Sequence, residues 1–395
     1  DPGWQGKFYA VPFGNASEEL STWLHPTRLR GEANLKMRLM DAPGDMTVQN
    51  LIACYLAEVI RHCCQWFGKN APARYEHARK TWKLNLGFPG KSTGTGSELE
   101  QAYRTCAELA VQLASLQGAP TPADAERLRS EPKKTEAIAE PSPIELYPEI
   151  AAQLTGYIKS PFAHHGPLLL VDVGAGTLDV STLIIHGQQH TDNISFFMCD
   201  VQPLGTLRLH QARTNAMNEA MTGCVRSQLM ELQDGLTAIP ERWDQMTNAR
   251  SEEAEPCRIA FDTISQSWIS QSIGAALPCL TRFRQHLRDT HDAVDYDPWP
   301  GHLRLFLTGG GSRCSLFKKC FAAGRLEREM LPFTHWHYDY HQRHEAGQGL
   351  KLEAIPCPNN LQWPDELHDH FDRLSVAYGL AQGTLDLAQV RHIQQ

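Results

Sequence analysis

The chain has 395 residues, too many for one simple core and enough for two or more packed lobes. Hydrophobic residues make up 42% and charged residues 21%, a globular composition, and the net charge of -8 argues against a general binder of nucleic acid or acidic membranes. No apolar run approaches the roughly 20 residues that span a bilayer. The start, DPGWQGKFYA, has neither the basic head nor the apolar centre of a signal peptide. Eleven cysteines without a C-x-x-C pair argue against a disulfide framework or zinc ribbon and point to a reducing cytoplasm.

In chain order, residues 1–45 read as irregular, apart from a strand over Lys7–Pro12 and the basic segment HPTRLRGEANLKMRL. TVQNLIACYLAEVIRHCCQWF (47–67) has apolar positions at helical spacing, with Thr47 as its cap. KLNLGF (83–88) reads as a short strand. The loop after it contains Gly90-Lys91-Ser92, but a P-loop needs a glycine where Asn85 stands. A helix is expected from Ser97 to Ser115, with Glu98 and Glu100 in the first turn, where the helix dipole favours acids. GAPTPADAERLRSEPKK (118–134) is rich in proline and charge and reads as an exposed insertion. TEAIAE (135–140) reads as a strand halted by Pro141, and a helix is expected from Pro143 to Ile158.

The next stretch is LLLVDVGAGTLDVSTLII (168–185), two apolar β-prone runs around a turn. Glycine leaves no Cβ in the way, so Gly174 and Gly176 let backbone N–H groups around Ala175 converge on one phosphate-sized anion. Thr177 adds a hydroxyl donor. Asp172 at a strand end would repel a bare phosphate and makes sense with a divalent cation between them, held partly through water as Mg²⁺ prefers. Asp-x-Gly-x-Gly-Thr therefore reads as a metal–nucleotide phosphate site, with Asp179 read as a structural acid.

Residues 207–290 are mostly helical by periodicity. LRLFLTGGGSRCSLFKK (303–319) is a strand running into Gly309, Gly310 and Gly311 and then a helix. A turn without side chains lets a flat ligand or phosphate approach the backbone, and Arg313 is placed to stack on a base. Residues 325–365 read as loop-like and aromatic. Within them His335, His337, His341 and His344 raise a zinc site, but no cysteine joins them at a standard spacing, and with eighteen histidines in the chain a chance cluster in an aromatic loop is the better account. The last element is a helix from Asp372 to Val390. No repeat of solenoid length occurs, and the alternation of strands and helices points to α/β layers.

Taken together, these motifs resemble the actin-like ATPase superfamily, most closely the nucleotide-binding domain of the 70-kDa heat-shock chaperones and their divergent relatives. NLKMRLM (34–40) is similar to the segment carrying the family's catalytic lysine, here Lys36. TEAIAEPSP (135–143) is similar to its strand ending in Glu-Pro, which makes Glu140 the catalytic carboxylate, with Glu145 or Glu149 as alternatives because of the longer spacing to Asp172. VDVGAGTLDVS (171–181) resembles the second phosphate motif, with Ala175 in place of the commoner middle glycine. LFLTGGGSR (305–313) resembles the adenosine motif, through Gly309, Gly310, Gly311, Ser312 and Arg313. Gly205-Thr206 resembles a further glycine turn, and RLSVAYGLAQG (373–383) the second connecting helix.

The resemblance implies an α/β, two-lobed fold of duplicated ribonuclease-H-like mixed sheets flanked by helices, with nucleotide between the lobes. Lobe I would be 1–163, lobe II 164–371 with a mostly helical subdomain over 207–300, and 372–395 a connecting helix returning to lobe I. It implies an ATP-binding, Mg²⁺-dependent, slowly hydrolysing chaperone-like switch in the cytoplasm, using ATP/ADP and a protein partner or client. In that mechanism Lys36 neutralises charge on the γ-phosphate, Glu140 orients water, Asp172 positions Mg²⁺ and Thr177 lies near the γ-phosphate. The family also opens with a D-x-G-T-T hairpin, whereas here only Asp1-Pro2-Gly3-Trp4-Gln5 stands in that place, without a strand before it. Either a preceding segment supplies the hairpin, or the chain is a pseudo-ATPase interaction scaffold. A filament-forming actin relative is a third reading.

Overall fold

The computed structural model describes residues 35–70, 77, 82–89, 97–131, 144–158, 163–186, 194–220, 238–247, 251–290, 303–322, 326, 351–358, 371–381 and 390–392. The expected strands at Lys7–Pro12 and 135–140, Glu140 itself, the Gly90–Ser92 loop and the histidines of 334–347 lie outside these residues. Among the described residues the chain is mixed α/β, with two sheets and nine α-helices. No helix among them is long and apolar enough to cross a membrane. They fall into two compact units that divide between Pro148 and Glu149.

The first unit holds α1 (Leu35–Asp41), α2 (Met46–Asn70), β1 (Leu84–Phe88), α3 (Glu98–Ser115), α4 (Pro122–Ser130) and β2 (Ile144–Pro148). The expected helices of α2 and α3 are present. Ser97 caps α3 by accepting the Glu100 amide, whereas α2 is capped by Asp45, whose Oδ1 accepts from the Thr47 amide at 2.9 Å, so Thr47 is not the cap. The segment expected to be an exposed insertion is corrected over 122–130. It is a helix with a capping box between Thr121 and Asp124, and Ala125 and Leu128 pack against α2 and α3. Proline sits in its first turn, where no N–H is required. The helix expected from Pro143 is also corrected. Ile144–Pro148 is a strand paired in parallel with β1, and helix begins only after Pro148. Leu146 reaches the core with Leu86 and Phe88, at strand rather than helix spacing.

The second unit begins with α5 (Glu149–Ile158). The boundary expected at 163/164 lies earlier because Ile150, Leu154 and Tyr157 of this helix pack into the second unit's core. It continues with β3 (Gly166–Val173), β4 (Leu178–Ile185), β5 (Ile194–Gln202), α6 (Thr206–Ala220), α7 (Ser251–Asp289), β6 (Arg304–Thr308), α8 (Ser315–Cys320), β7 (Lys351–Glu353), α9 (Phe371–Leu380) and β8 (Val390–His392). The sheet order is β7-β6-β3-β4-β5-β8, with β4 antiparallel to both neighbours and every other pairing parallel.

Strand period two explains the apolar runs. Leu169, Val171 and Val173 enter a core with α7 and α8, while Leu168 and Leu170 enter another with α5 and α9. A sheet covered on both faces needs apolar residues at every position. Strand β7 lies within the stretch expected to be loop. The final helix is shorter than expected. It ends at Leu380, and Val390–His392 is a strand paired with β5, so the described part of 372–395 packs within the second unit. The α9–α5 crossing is close: a Cβ on Gly379 would overlap the Ala152 carbonyl.

Candidate functional site

Strands β3 and β4 pair as far as Val173 opposite Leu178. The intervening turn is closed by Gly174 N–H donating to the Thr177 carbonyl at 2.9 Å. Three carbonyls of this turn accept amides from the start of α6: Gly205 donates to Gly176 O (3.3 Å), Thr206 to Gly174 O (3.0 Å) and Leu207 to Ala175 O (2.8 Å). Helix N-termini carry amides with no partner inside the helix, and here the hairpin satisfies them. Gly205 and Thr206 therefore use their amides to brace the hairpin. Gly205 must lack a side chain, since a Cβ would overlap the Ala175 carbonyl. The amides of Ala175, Gly176 and Thr177 have no backbone acceptor among the described residues. Ala175 is exposed and Gly176 half-buried, so solvent reaches the tip of the turn.

The Gly309–Arg313 turn meets the same hairpin. Strand β6 runs beside β3, with Thr308 opposite Asp172. Gly309 has φ +77°, and a Cβ there would overlap Asp172 Oδ1. A Cβ on Gly311 would collide with Val173 and Thr206. Gly310 and Ser312 complete the turn. Arg313 forks onto Asp372 in the first turn of α9, with Nε at 3.1 Å from Oδ2 and Nη2 at 2.9 Å from Oδ1, and Ser312 Oγ donates to Oδ2 at 3.2 Å. This fork uses the edge of the guanidinium, while stacking on a base uses its face. At the far end of the turn, Glu241 Oε1 accepts the Ser315 amide at 2.9 Å. That backbone hydrogen bond, helped by Lys319 and Lys318, holds the Glu241 carboxyl below its ordinary range.

Asp172 is half-buried and lies in register with buried Asp179 across the β3–β4 pair. Like charges directly opposite destabilise a sheet unless something offsets them. One offset is Gln153 of α5, whose Nε2 donates to Asp172 Oδ2 (3.1 Å) and to Thr308 Oγ1 (3.0 Å). Gln153 is 1% exposed, and its Oε1 has no hydrogen-bond partner among the described residues. Burying such a carbonyl costs about 1–3 kcal/mol. A single carboxylate is the kind of hard oxygen donor that Mg²⁺ accepts, since that ion keeps most of its waters. Among the described residues, no group of three or more His, Cys, Asp or Glu side chains is placed to hold a metal by itself.

The residues read from the sequence as phosphate, metal and adenosine ligands thus come together in the second unit: Asp172, Gly174, Ala175, Gly176, Thr177, Gly205, Thr206, Gly309, Gly310, Gly311, Ser312 and Arg313. Lys36 is an exposed residue of α1 in the first unit. Of the alternatives to Glu140, Glu145 lies in β2 and is held by Lys83 Nζ at 2.5 Å and by the Tyr147 hydroxyl. Glu149 lies in the first turn of α5, one helical turn before Gln153 and on the same helix face. Gln153, Thr308 and Asp372 were not legible as site residues. The available signal was a polar residue amid the apolar face of EIAAQLTGYI, and a polar residue ending a buried strand. No protein-family model matches the chain, and no curated protein does.

Proposed function

We propose that this chain is an ATP/ADP-binding, Mg²⁺-dependent nucleotide switch of actin-like, heat-shock-chaperone-like type, with a protein partner or client in the cytoplasm. The observation that carries the proposal is the convergence of three glycine turns, 174–176, 205 and 309–311, at one end of β3, β4 and β6. Together they build an anion nest beside a half-buried carboxylate. The mixed sheet with helices on both faces also supports the lobe architecture that the resemblance implies.

In this mechanism the Ala175, Gly176 and Thr177 amides donate to phosphate oxygens, and the Thr177 hydroxyl adds a donor. Asp172 would hold the cation, partly through water. Bound Mg²⁺ supplies charge neutralisation on the phosphates. The Arg313 face covers the base, with its edge anchored on Asp372. Glu149 is the acid best suited to orient water, because it shares a helix face with the Asp172-binding Gln153. A pseudo-ATPase scaffold is the second reading, and the engagement of Glu145 by Lys83 and Tyr147 favours it.

The test is ADP binding and ATP turnover with and without Mg²⁺, for wild type and Asp172→Asn. Loss of the Mg²⁺-dependent component in the variant is expected. Undiminished turnover in Asp172→Asn removes the mechanism, and tight binding without turnover in wild type selects the scaffold.

A further inference from the structure

We propose that Gln153 is a positioning residue for Asp172, and that it sets the Mg²⁺ dependence of nucleotide binding. This inference rests on the nucleotide reading above. A carboxamide nitrogen carries two hydrogens, and Gln153 directs both to named acceptors, Asp172 Oδ2 at 3.1 Å and Thr308 Oγ1 at 3.0 Å. Two bonds from one nitrogen fix the amide plane. Turning the amide over would set its oxygen against the Asp172 carboxylate and lose the bond to Oδ2, while Thr308 could donate to the turned oxygen. The orientation is therefore determined by chemistry, and it leaves Oε1 buried without a partner among the described residues.

The second carboxylate oxygen, Oδ1, is confined from the other side. It lies where a Cβ of residue 309 would be, so only glycine there admits it. Asp172 is thus held between a donor on α5 and the bare backbone of the β6 turn, with Thr308, its register partner on β6, holding the donor. The three residues come from three separate stretches of chain, which share no local reason to meet. Groups that orient a metal-binding carboxylate change metal affinity roughly 10–100-fold when removed.

The experiment uses the full chain, ADP as probe and Mg²⁺ as the varied component. The dissociation constant for ADP is measured without Mg²⁺ and at saturating Mg²⁺, for wild type, Asp172→Asn, Gln153→Met and Thr308→Val. Gln153→Met keeps the volume and removes both donors. The expected result is that its Mg²⁺-dependent gain in affinity falls roughly tenfold or more, while the metal-free constant stays within about twofold, a split that general loosening of the fold does not produce. Thr308→Val frees the amide without removing it, so a smaller loss of the same sign is expected. An unchanged Mg²⁺ gain in Gln153→Met overturns the proposal, as does equal weakening with and without metal. Should Gln153→Met fail to fold, Thr308→Val decides on the same criterion. If Asp172→Asn loses the gain and Gln153→Met keeps it, this inference falls alone. If wild type binds no ADP under either condition, the nucleotide reading and this inference fall together.

Discussion

Two buried glutamines divide the labour of the two units. Gln49 of α2 and Gln153 of α5 each donate from Nε2, and each leaves Oε1 buried without a partner among the described residues. Gln49 donates to the Pro43 carbonyl at 2.6 Å, closing the turn before its own helix. Gln153 donates to a carboxylate and a hydroxyl that lie 19 and 155 residues away. In the first unit, polar side chains also finish helices: Arg61 bonds the carbonyls of Leu113 and Ala114 in the last turn of α3 and of Leu116 and Gly118 beyond it, and Thr121 and Asp124 close the start of α4. In the second, backbone amides finish a helix start by bonding a hairpin, and polar side chains gather at one corner. The polar corner around Asp172 is the part of the second unit that the proposed nucleotide site would use.

The most disruptive way to test this contrast is at the glycine crossing of the second unit. Gly379→Ala places a methyl into the Ala152 carbonyl, and neither backbone can yield without moving α5 or α9. A stability loss of about 3 kcal/mol in urea unfolding is expected, together with weakened ADP binding, because α5 carries Gln153 and α9 carries Asp372. Normal stability in this variant would show that the two helices are less tightly crossed than described. A smaller effect is expected from Gln49→Met, the counterpart of Gln153→Met. It should cost about 1 kcal/mol and leave the Mg²⁺ dependence of ADP binding unchanged. A change in that dependence would erase the distinction between the two glutamines.

The smallest effect sharpens the comparison at the edge of the site. The Glu241 carboxyl titrates below its ordinary value in the folded chain because it accepts the Ser315 amide. Its contribution is therefore complete above the unfolded value and is lost as pH falls through the lower folded one. Glu241 is exposed, so solvent screening limits the effect to about 0.5 kcal/mol. Glu241→Gln should melt slightly below wild type at neutral pH, with the difference vanishing once the pH falls below the lowered folded value. A difference that persists in acid would assign Glu241 a role other than this charge.

Most elements with a strong local signature were legible. The hairpin at 168–185 announced itself by two apolar runs around Gly174 and Gly176, and α3 by Ser97 and its acidic first turn. Errors arose where two signals competed. In 118–134, proline and charge suggested exposure, although Ala125 and Leu128 lie one helical turn apart and bury together. In 143–158, helical periodicity was carried back through Pro148 into a strand. At the end of the chain the helical pattern was run on through Val390, which tertiary pairing with β5 turns into a strand.

What the sequence determined by itself was local: which turns need glycine, which strand ends in an acid, and where a backbone nest can form. Those properties depend on neighbours a few residues apart. Only the tertiary structure decided that Gln153, Asp172 and Thr308 share one hydrogen-bonded corner, that Arg313 is anchored on Asp372, and that the first amides of α6 are spent on the hairpin. Each of these contacts joins distant stretches of chain, and their partners are chosen by how the sheet and its covering helices pack rather than by spacing along the chain.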